Sequence, residues 1–390
     1  MAADRRELLV VAGEASGDLH GARLLTELAR LAPGLATFGL GGDGMQAAGL
    51  DAVAHSSEVS VVGITEALKV LPRARQVFAR LLAEVDRRRP RGAVLIDFPE
   101  FNLRLAKELK VRGVTVLYYV SPQVWAWRRG RMKTIAKVVD RMLVLFPFEA
   151  DLYAREGIAA VHVGHPLVDE VPALPSLWER GGAVRRPYEI ALLPGSRRSE
   201  VEALLPAMLS TVRLLAESLP VHARVIQAPT IPRELLDEAV ELSGLEVGIE
   251  AGDRFAAIAD SHLALCASGT ATLEVGLLGT PMIVVYRLQP WTYLVARLLV
   301  RLRDVSLVNL VLGRRVVPEL IQGQAAPHRV AALAERLLAD PAAPGGIDDM
   351  RRGLAELRGR LGAGGASARA AREVADLLDL APRGGTGVAA

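Results

Sequence analysis

Four short segments combine residue types that can do chemistry with the spacing of a turn between a strand and a helix. The first, GEASGDLHG at 13–21, contains Gly17, Asp18 and His20. Its glycines let the backbone approach a ligand closely, and the N-terminus of the following helix offers unpaired N–H groups to an anion. The segment is not the dinucleotide fingerprint. A tight turn that Ser16 or Asp18 caps is an equally good interpretation, and both stay open.

A carboxylate marks the second segment, LIDFPEFN at 95–102. Asp97 follows an apolar run that is typical of a buried strand, and open α/β sheets bind their ligands at the carboxyl ends of strands. Asp97 is therefore a candidate general base. The alternative is that Asp97 only caps the helix that begins near Phe101.

Two arginines distinguish the third segment, LLPGSRRSEVE at 192–202. Ser199 with Glu202 predicts a capping box at the start of a helix. Arg197 and Arg198 would then lie beside the positive end of the helix dipole, where cations are unfavourable. A bound anion such as a diphosphate explains their placement better than solvent does.

The fourth segment, ASGTATLE at 267–274, is rich in small and hydroxylated residues. The turn made by Ser268, Gly269 and Thr270 is of the kind that cradles phosphate through backbone N–H groups. Glu274, about one turn inside the helix, could accept hydrogen bonds from two ribose hydroxyls. The alternative is that Glu274 only interacts with the helix N-terminus.

Composition and missing motifs disfavour several other classes of protein. Hydrophobic residues make up 51% of the 390 residues, and 47 Lys and Arg nearly balance 44 Asp and Glu, so the chain is globular rather than disordered. Aromatic residues, at 4%, make a base-stacking nucleic-acid surface a weaker interpretation than contact with phosphorylated small molecules or acidic lipid. The single cysteine, Cys266, excludes internal disulfides. The sequence also lacks Asp-x-Asp, His-Glu-x-x-His, Gly-x-Ser-x-Gly and Gly-x-x-x-x-Gly-Lys motifs, which disfavours metal, hydrolase and ATPase chemistry.

The elements that must position these segments follow a βα rhythm that occurs twice. Apolar runs, each followed by a turn and a helix-period stretch, predict two α/β domains with parallel sheets. The predicted strands lie at 8–12, 37–40, 93–96, 114–120, 142–146 and 160–163, and then at 189–193, 223–227, 245–249, 263–266 and 282–286. A Pro- and Gly-rich stretch between the halves predicts a connection. The predicted organisation is a first domain at 1–165, a linker at 166–187, a second domain at 188–340, C-terminal helices at 341–381 and a disordered tail at 382–390.

Two amphiphilic segments, 59–82 and 291–303, mix apolar and basic side chains. Either could lie on a membrane surface, where each basic residue near an anionic leaflet contributes about 1 kcal/mol. The alternative for each is a core-facing helix with basic edges. No apolar run approaches the roughly 18 residues of a spanning helix, and the run at 8–12 is too short for a secretory signal. We therefore expect a cytoplasmic protein.

Eight motifs, taken in chain order, resemble lipid-A-disaccharide synthase, a membrane-associated glycosyltransferase family. The resemblance implies the GT-B fold, in which two Rossmann-like, doubly wound α/β domains face a cleft and are followed by C-terminal helices. It covers roughly 8–338 of the chain. The motifs are GEASGD at 13–18, VVGITE at 61–66, IDFPEFN at 96–102, SPQVWAW at 121–127, GHP at 164–166, LPGSR at 193–197, SGTATLE at 268–274 and PELIQ at 318–322.

The same resemblance implies a reaction and its partners. The family transfers 2,3-diacylglucosamine from its UDP derivative to the 6-hydroxyl of 2,3-diacylglucosamine 1-phosphate, which releases UDP and forms a β-1,6-linked precursor of lipid A. This implies an inverting hexosyltransferase with no cofactor and no metal. The implied partners are the two acylated sugar substrates and the cytoplasmic face of the inner membrane, with no nucleic acid. A homodimer stays open.

Roles for individual residues also follow from the resemblance. Asp97 becomes the base for the acceptor hydroxyl, with Asp18 and His20 as the alternatives. Arg197 becomes a diphosphate ligand and Glu274 a ribose ligand. The full implied donor site consists of Gly17, Ser196, Arg197, Ser268, Gly269, Thr270, Glu274, Asn309 and Gln322. The implied membrane and acyl contact consists of Val61, Val62, Ile64, Leu68, Leu71 and Phe78.

One departure from the family pattern concerns Asn309. The usual Leu-Pro-Asn reads Leu307-Val308-Asn309 here, which leaves the local turn and the role of Asn309 open. Two other classes of function also remain. A UDP-N-acetylglucosamine 2-epimerase would share the two-domain architecture but would need no acyl-binding surface. A non-catalytic protein that binds lipid or nucleotide sugar would show no dependence on Asp97.

Overall fold

The chain divides into two compact units in a computed structural model that describes residues 7–59, 67–124, 129–181, 186–287 and 304–380. Within these ranges, side chains are not described at 67–70 and 129. The first unit spans Met1–Pro166 and Gly364–Ala390, and the second spans Leu167–Ala363. The first unit is therefore discontinuous in sequence.

The first unit is built on a parallel sheet of seven strands. Its strands are β1 (Glu7–Ala12), β2 (Ala36–Gly41), β3 (Asp51–His55), β4 (Gly92–Ile96), β5 (Thr115–Tyr119), β6 (Arg141–Val144) and β7 (Ala160–His162), in the spatial order β3-β2-β1-β4-β5-β6-β7. Its helices before the second unit are α1 (Ala15–Leu31), α2 (Asp43–Ala47), α3 (Ala67–Arg88), α4 (Pro99–Val111), α5 (Met132–Val138) and α6 (Pro147–Arg155). Short 3-10 turns occur at Ser56–Glu58 and Arg129–Arg131.

The second unit repeats this plan with six parallel strands. The strands are β8 (Tyr188–Leu193), β9 (Val221–Ile226), β10 (Val247–Glu250), β11 (Leu263–Ala267), β12 (Met282–Tyr286) and β13 (Glu319–Ile321), in the order β10-β9-β8-β11-β12-β13. Its helices are α7 (Leu167–Glu170), α8 (Arg198–Ala216), α9 (Arg233–Ser243), α10 (Arg254–Ala259), α11 (Ala271–Leu277), α12 (Leu307–Leu312), α13 (Pro327–Ala339), α14 (Ile347–Leu354) and α15 (Leu357–Leu361). A 3-10 turn follows β13 at Gln322–Ala325.

The central strands are apolar along their whole length because helices cover both faces of each sheet. Residues Leu8–Ala12 of β1 and Ala93–Ile96 of β4 are completely buried, and β11 in the second unit is equally enclosed. Parallel pairing in register places Ala12 beside Ile96 and Cys266 beside Leu193. The carboxyl ends of these neighbouring strands therefore lie side by side.

Each sheet reverses its strand order at one point, between β1 and β4 in the first unit and between β8 and β11 in the second. In open α/β sheets, ligands bind in the crevice outside the carboxyl ends of the strands at such a switch point. The four chemically suggestive segments of the sequence follow these four strands and no others. The topology thus assigns one candidate site to each unit.

The last helix, α16 (Ala366–Leu377), packs along α1 in the first unit. Arg141 pairs with Glu373 at 2.7 Å, and Leu378 lies so close to Gly92 that a Cβ there would be 2.5 Å from its Cδ2. The predicted stretch of C-terminal helices is thus shared, since α14 and α15 belong to the second unit. The predicted tail at 382–390 lies outside the described residues.

Among the described residues, no helix is both long enough and apolar enough to cross a membrane.

Candidate active site

The switch point of the first unit is closely packed around Gly13. This glycine follows β1, and a Cβ built on it would lie 2.3 Å from the Phe98 ring. Gly17 lies in the first turn of α1, where a Cβ would approach that of Ala12 to 3.3 Å. Both glycines therefore let the end of β1 and the start of α1 pack against the segment that carries Asp97.

Asp97 stands directly after β4 in an unusual backbone conformation. Its φ is +45°, and that of Phe98 is +50°. Asp97 is not the helix cap, because α4 begins at Pro99 and Phe98 occupies the capping position. The carboxyl group is therefore placed by the strand end rather than used for capping.

The electrostatic surroundings of Asp97 suit a general base. The pKa of its carboxyl is raised to about 6, because burial and then the nearby charge of Glu14 raise it more than a hydrogen bond from the Phe98 N–H lowers it. A carboxyl with a pKa near 6 is ionised at neutral pH and is more basic than an ordinary aspartate. A perturbed carboxyl at a topological switch point is a candidate catalytic group.

The other two candidate bases lie on α1. Neither Ser16 nor Asp18 caps this helix, which begins at Ala15. The carboxylate of Asp18 instead accepts backbone hydrogen bonds from Gly42 (2.6 Å), Gly44 (3.0 Å) and Met45 (3.1 Å), and so holds the first turn of α2. The His20 ring meets the Tyr119 ring edge-on, with 5.9 Å between centroids. Asp18 thus has a clear structural role. That Asp18 or His20 acts as the base remains a prediction.

In the second unit, Arg197 is exposed beside the start of α8. Its side chain is 79% accessible and pairs with Glu200 at 2.9 Å, and the Glu200 carboxylate also accepts hydrogen bonds from the N–H groups of Ser196 and Arg197. The predicted capping box of Ser199 with Glu202 is wrong, because the helix begins at Arg198 and Glu200 reaches back instead. Exposed ion pairs are weak, so Arg197 can exchange this partner for a stronger anion.

The neighbouring turn after β11 carries the hydroxyl-rich segment. Ser268 donates its hydroxyl to the Val305 carbonyl at 3.0 Å, and Gly269 has a φ of +155° with open space where a side chain would be. Thr270 precedes α11, and the Thr272 hydroxyl donates to the Gly269 carbonyl. The bare backbone at Gly269 leaves room for close approach of a ligand.

Glu274, in α11, is largely buried beside Arg254, whose Nη2 lies 3.1 Å from its Oε1. Burial raises the pKa of the Glu274 carboxyl, the Arg254 charge lowers it, and Glu170 raises it. An ionised carboxylate has acceptor capacity beyond the single bond to Arg254. Glu274 can therefore accept hydrogen bonds from the hydroxyl groups of a sugar.

Asn309 lies in α12, buried in a hydrogen-bond network. Its Nδ2 donates to the Val317 carbonyl (2.9 Å) and to Oε1 of Glu319 (2.8 Å), and its Oδ1 accepts from the N–H groups of Val316 and Val317. Val308, where the family has proline, occupies the first turn of α12, a position at which proline is tolerated. The departure therefore leaves the local helix start intact.

Glu319 is a residue that the sequence interpretation missed. Its buried carboxylate accepts hydrogen bonds from the N–H groups of Val305 (2.8 Å) and Ser306 (2.9 Å) as well as from Asn309. Because Ser268 donates to the Val305 carbonyl, this network fixes the segment that borders the Ser268 turn. The motif PELIQ contains Glu319, but its sequence gives no sign of the partners.

Gln322 follows β13 with a φ of +53°, the left-handed region that non-glycine residues rarely adopt. It is half-buried and begins a 3-10 turn. Strained residues of this kind cluster at ligand sites.

The predicted membrane segment is described only in part. Val61, Val62 and Ile64 lie outside the described residues, as does 291–303, and the side chain of Leu68 is not described. Leu71 on α3 is 45% exposed. Phe78 packs against the core, with its ring edge-on to Phe101 at 5.4 Å. The helix thus has a core face at Phe78 and an exposed apolar side chain at Leu71.

The chain matches one family of known proteins over most of its length. The family model described as lipid-A-disaccharide synthetase matches residues 8–346. A lipid-A-disaccharide synthase of Myxococcus xanthus is 47% identical over 375 residues, which are 95% of this chain and 97% of the relative. One from Syntrophus aciditrophicus is 43% identical over 93% of this chain and 96% of its own.

Solved structures with the same fold are more distant in sequence. The calicheamicin glycosyltransferase has a TM-score of 0.59 at 18% identity, with coverage of 96% of this chain and 99% of that one. The UDP-GlcNAc 2-epimerase of Neisseria meningitidis, bound to UDP-GlcNAc, has a TM-score of 0.57 at 11% identity, with coverage of 95% and 99%. These likenesses concern the fold alone.

Two Rossmann-like units, each with a candidate site at its switch point, define the GT-B fold class. This confirms the fold expected from the sequence. Within that class, the chain belongs to the lipid-A-disaccharide synthetase family, which confirms the resemblance drawn from the eight motifs.

Proposed function

We propose that this glycosyltransferase transfers 2,3-diacylglucosamine from UDP-2,3-diacylglucosamine to the 6-hydroxyl of 2,3-diacylglucosamine 1-phosphate. The products are UDP and a β-1,6-linked tetra-acyl disaccharide 1-phosphate. The observation that carries the proposal is the Asp97 carboxyl, which lies at the switch point of the first unit with a pKa of about 6 in a member of this family.

Asp97 accepts the proton of the acceptor hydroxyl as that oxygen attacks the anomeric carbon of the donor. The bond between this carbon and the diphosphate oxygen breaks, and its electron pair leaves on UDP. Attack from the face opposite the leaving group inverts the anomeric centre. A base with a pKa close to the working pH is effective in such a transfer, since it is ionised yet able to take the proton.

Charge on the departing UDP is stabilised by residues of the second unit. Arg197 turns from Glu200 to the diphosphate, which is the stronger anion. The backbone at Ser196, Ser268, Gly269 and Thr270 contributes N–H groups, and Glu274 accepts the ribose hydroxyls. Because these groups of the protein stabilise the charge on UDP, the reaction needs no divalent cation.

The rest of the proposed donor set has more indirect support. We include Gly17, in the first turn of α1, as a backbone contact, and Gln322, directly after β13, as a side-chain contact. Asn309 acts by holding Glu319, because its amide is engaged in four hydrogen bonds to the protein. Asp18 and His20 are the alternative bases if Asp97 is not required.

Peripheral contact with the cytoplasmic face of the inner membrane is the second part of the proposal. Both substrates carry acyl chains, so the enzyme must meet them at a bilayer surface. Leu71, exposed on α3 between basic residues, is the described side chain that supports this contact, together with Val61, Val62, Ile64 and Leu68 in the same stretch of sequence.

The test is mass spectrometry of the products formed by the purified full chain in mild detergent with EDTA and the two acylated sugars. We expect UDP and a tetra-acyl disaccharide monophosphate, and none of either with Asp97→Asn, which should still bind UDP. Activity that needs added Mg²⁺ would contradict the metal-independent mechanism. An isomerised nucleotide sugar would indicate epimerase chemistry, and UDP binding without any product would indicate a binding protein.

A further inference from the structure

The backbone at Asp97 is held in place from two sides. Both Asp97 and Phe98 have left-handed φ angles, an arrangement that persists only where the surrounding structure fixes it. On the strand side, the Asp97 N–H donates to the Tyr119 carbonyl of β5 at 3.0 Å. This bond continues the ladder between β4 and β5 by one residue, so the strand pairing sets the start of the turn.

Two buried side chains meet at the Asp97 carbonyl. The Tyr118 hydroxyl donates to it at 2.5 Å, and Asn102 Nδ2 donates to it at 2.8 Å. Asn102 Nδ2 also donates to the Ile96 carbonyl at 3.1 Å, so the NH₂ group bridges the last two carbonyls of the strand. Both side chains are completely buried.

The orientation of the Asn102 amide shows which of its groups the fold uses. Within the described part of the chain, its buried Oδ1 has no hydrogen-bond partner, whereas both protons of Nδ2 are used. A buried acceptor without a partner is costly. The two donated bonds to the Ile96 and Asp97 carbonyls therefore account for an amide side chain at this position.

We propose that Tyr118 and Asn102 are positioning residues that fix the Asp97 carbonyl and thereby aim the Asp97 carboxylate at the acceptor. Tyr119 holds the N–H of Asp97, and Tyr118 and Asn102 hold its carbonyl. The backbone is therefore fixed on both sides of the Cα, and this sets the direction in which the side chain leaves the chain. A displacement of about 1 Å at a reacting group can cost about 100-fold in rate. The proposal rests on the proposed role of Asp97 as the base.

The experiment compares Tyr118→Phe and Asn102→Ala with the wild type. Tyr118→Phe removes one oxygen atom and keeps the ring in place, so it is the milder variant. Tyr153→Phe is the matched control, because Tyr153 is also fully buried in the first unit and its hydroxyl bonds to Ser121 at 2.8 Å rather than to the Asp97 carbonyl. Thermal unfolding of all three variants reports any general loss of stability.

We expect kcat to fall about 10- to 100-fold in both test variants while the KM for the donor and the affinity for UDP stay within twofold. The control should keep its kcat. The pKa of Asp97 should fall in both test variants, because a released carboxylate reaches solvent and loses the burial that raises its pKa. That pKa is measured by the pH titration of ¹³C-labelled aspartate carboxyls, assigned by comparison with Asp97→Asn.

The titration does not depend on the reaction, so the two proposals can fail separately. If the wild type forms no disaccharide, the proposed function fails, and the titration alone decides the positioning role. If the wild type is active but the test variants keep both their kcat and the pKa of Asp97, the positioning role is overturned. A loss of kcat that Tyr153→Phe shares, with no change in that pKa, would also overturn it.

Discussion

The guanidinium of Arg254 lies 3.1 Å from the carboxylate of Glu274, and its charge opposes the burial that raises the pKa of this acid. Because burial raises the pKa of Glu274 and Arg254 lowers it, removal of Arg254 should raise that pKa further. If ionised Glu274 accepts the ribose hydroxyls, Arg254→Leu should weaken UDP binding, and the loss should be greatest at low pH.

Calorimetric titration of UDP at several pH values between about 5 and 8 measures this effect. In Arg254→Leu, the loss of UDP affinity on acidification should begin at a higher pH than in the wild type. Arg233→Leu is the control, because Arg233 pairs with Asp237 on the exposed surface of α9 in the same unit. If this pH is the same in Arg254→Leu and the wild type, protonation of Glu274 does not control UDP binding.

The pH dependence of the reaction should follow the ionisation of the Asp97 carboxyl. With a pKa of about 6, the wild-type kcat/KM should fall as the pH drops through that value, because protonated Asp97 cannot act as a base. Glu14→Gln removes a negative charge that raises this pKa, so the acid limb should move to lower pH. Glu27→Gln, which breaks an α1 ion pair with Arg30, should leave the limb in place. A shift to higher pH in Glu14→Gln would refute the assignment.

The absence of a side chain at Gly13 should be essential for catalysis. A Cβ there would lie 2.3 Å from the Phe98 ring, so Gly13→Ala must displace Phe98 or the turn that carries Asp97. We expect kcat to fall by about 10- to 100-fold, with little change in UDP affinity. Gly359→Ala in α15 is the control, since a Cβ at Gly359 meets open space and alanine favours the helix. Equal kcat values for the two variants would mean that the turn adapts without cost.

The buried pair of Asn309 and Glu319 should be sensitive to an added charge. Asn309→Asp is nearly isosteric, yet it places a second carboxylate where Nδ2 now lies 2.8 Å from Glu319 and removes the donor to Val317. We expect a loss of about 3 kcal/mol in the free energy of unfolding at pH 8, measured in urea.

The loss should shrink as the pH falls. In Asn309→Asp, burial beside another carboxylate raises the folded pKa of the introduced carboxyl above its unfolded value, so stability is lost as the pH rises through the folded pKa. Asn309→Ala removes the hydrogen bond to Glu319 but adds no charge, so its pH dependence should be smaller. If the two variants behave alike, the network does not exclude a second charge.

Membrane contact should depend on Leu71. Leu71→Glu should reduce binding to vesicles that contain anionic lipid, because it removes an exposed apolar side chain and adds repulsion from the surface. Leu242→Glu is the control, since Leu242 is 83% exposed on α9 in the second unit. Co-sedimentation with vesicles measures both. Equal binding of the two variants would exclude Leu71 from the contact.

Much of the fold could be predicted from the sequence because its central strands are continuous apolar runs. Such runs, as in β1, β4 and β11, are buried on both faces and stand out from the helix-period stretches around them. The edge strands β3 and β13 were missed, since one mixes polar and apolar residues and the other has only three residues. Their pairing with neighbours, rather than their composition, makes them strands.

The candidate site was predictable where a residue type at a strand end carries the information, and not where contacts across the fold decide. Asp97 could be singled out from its place after an apolar run. Its left-handed backbone could not, because the Tyr118 hydroxyl that fixes it comes from the next strand. Glu319 was missed for the same reason: its partners at Val305 and Ser306 lie 13 to 14 residues earlier in the chain.

The return of α16 to the first unit has a consequence for biosynthesis. The sheet of this unit leaves the ribosome first, but its Gly92 and Arg141 meet Leu378 and Glu373 only after the whole second unit has been made. The second unit, in contrast, is one uninterrupted stretch that can fold as soon as it emerges. The half of the protein that carries Asp97 is thus begun before the second unit and completed after it.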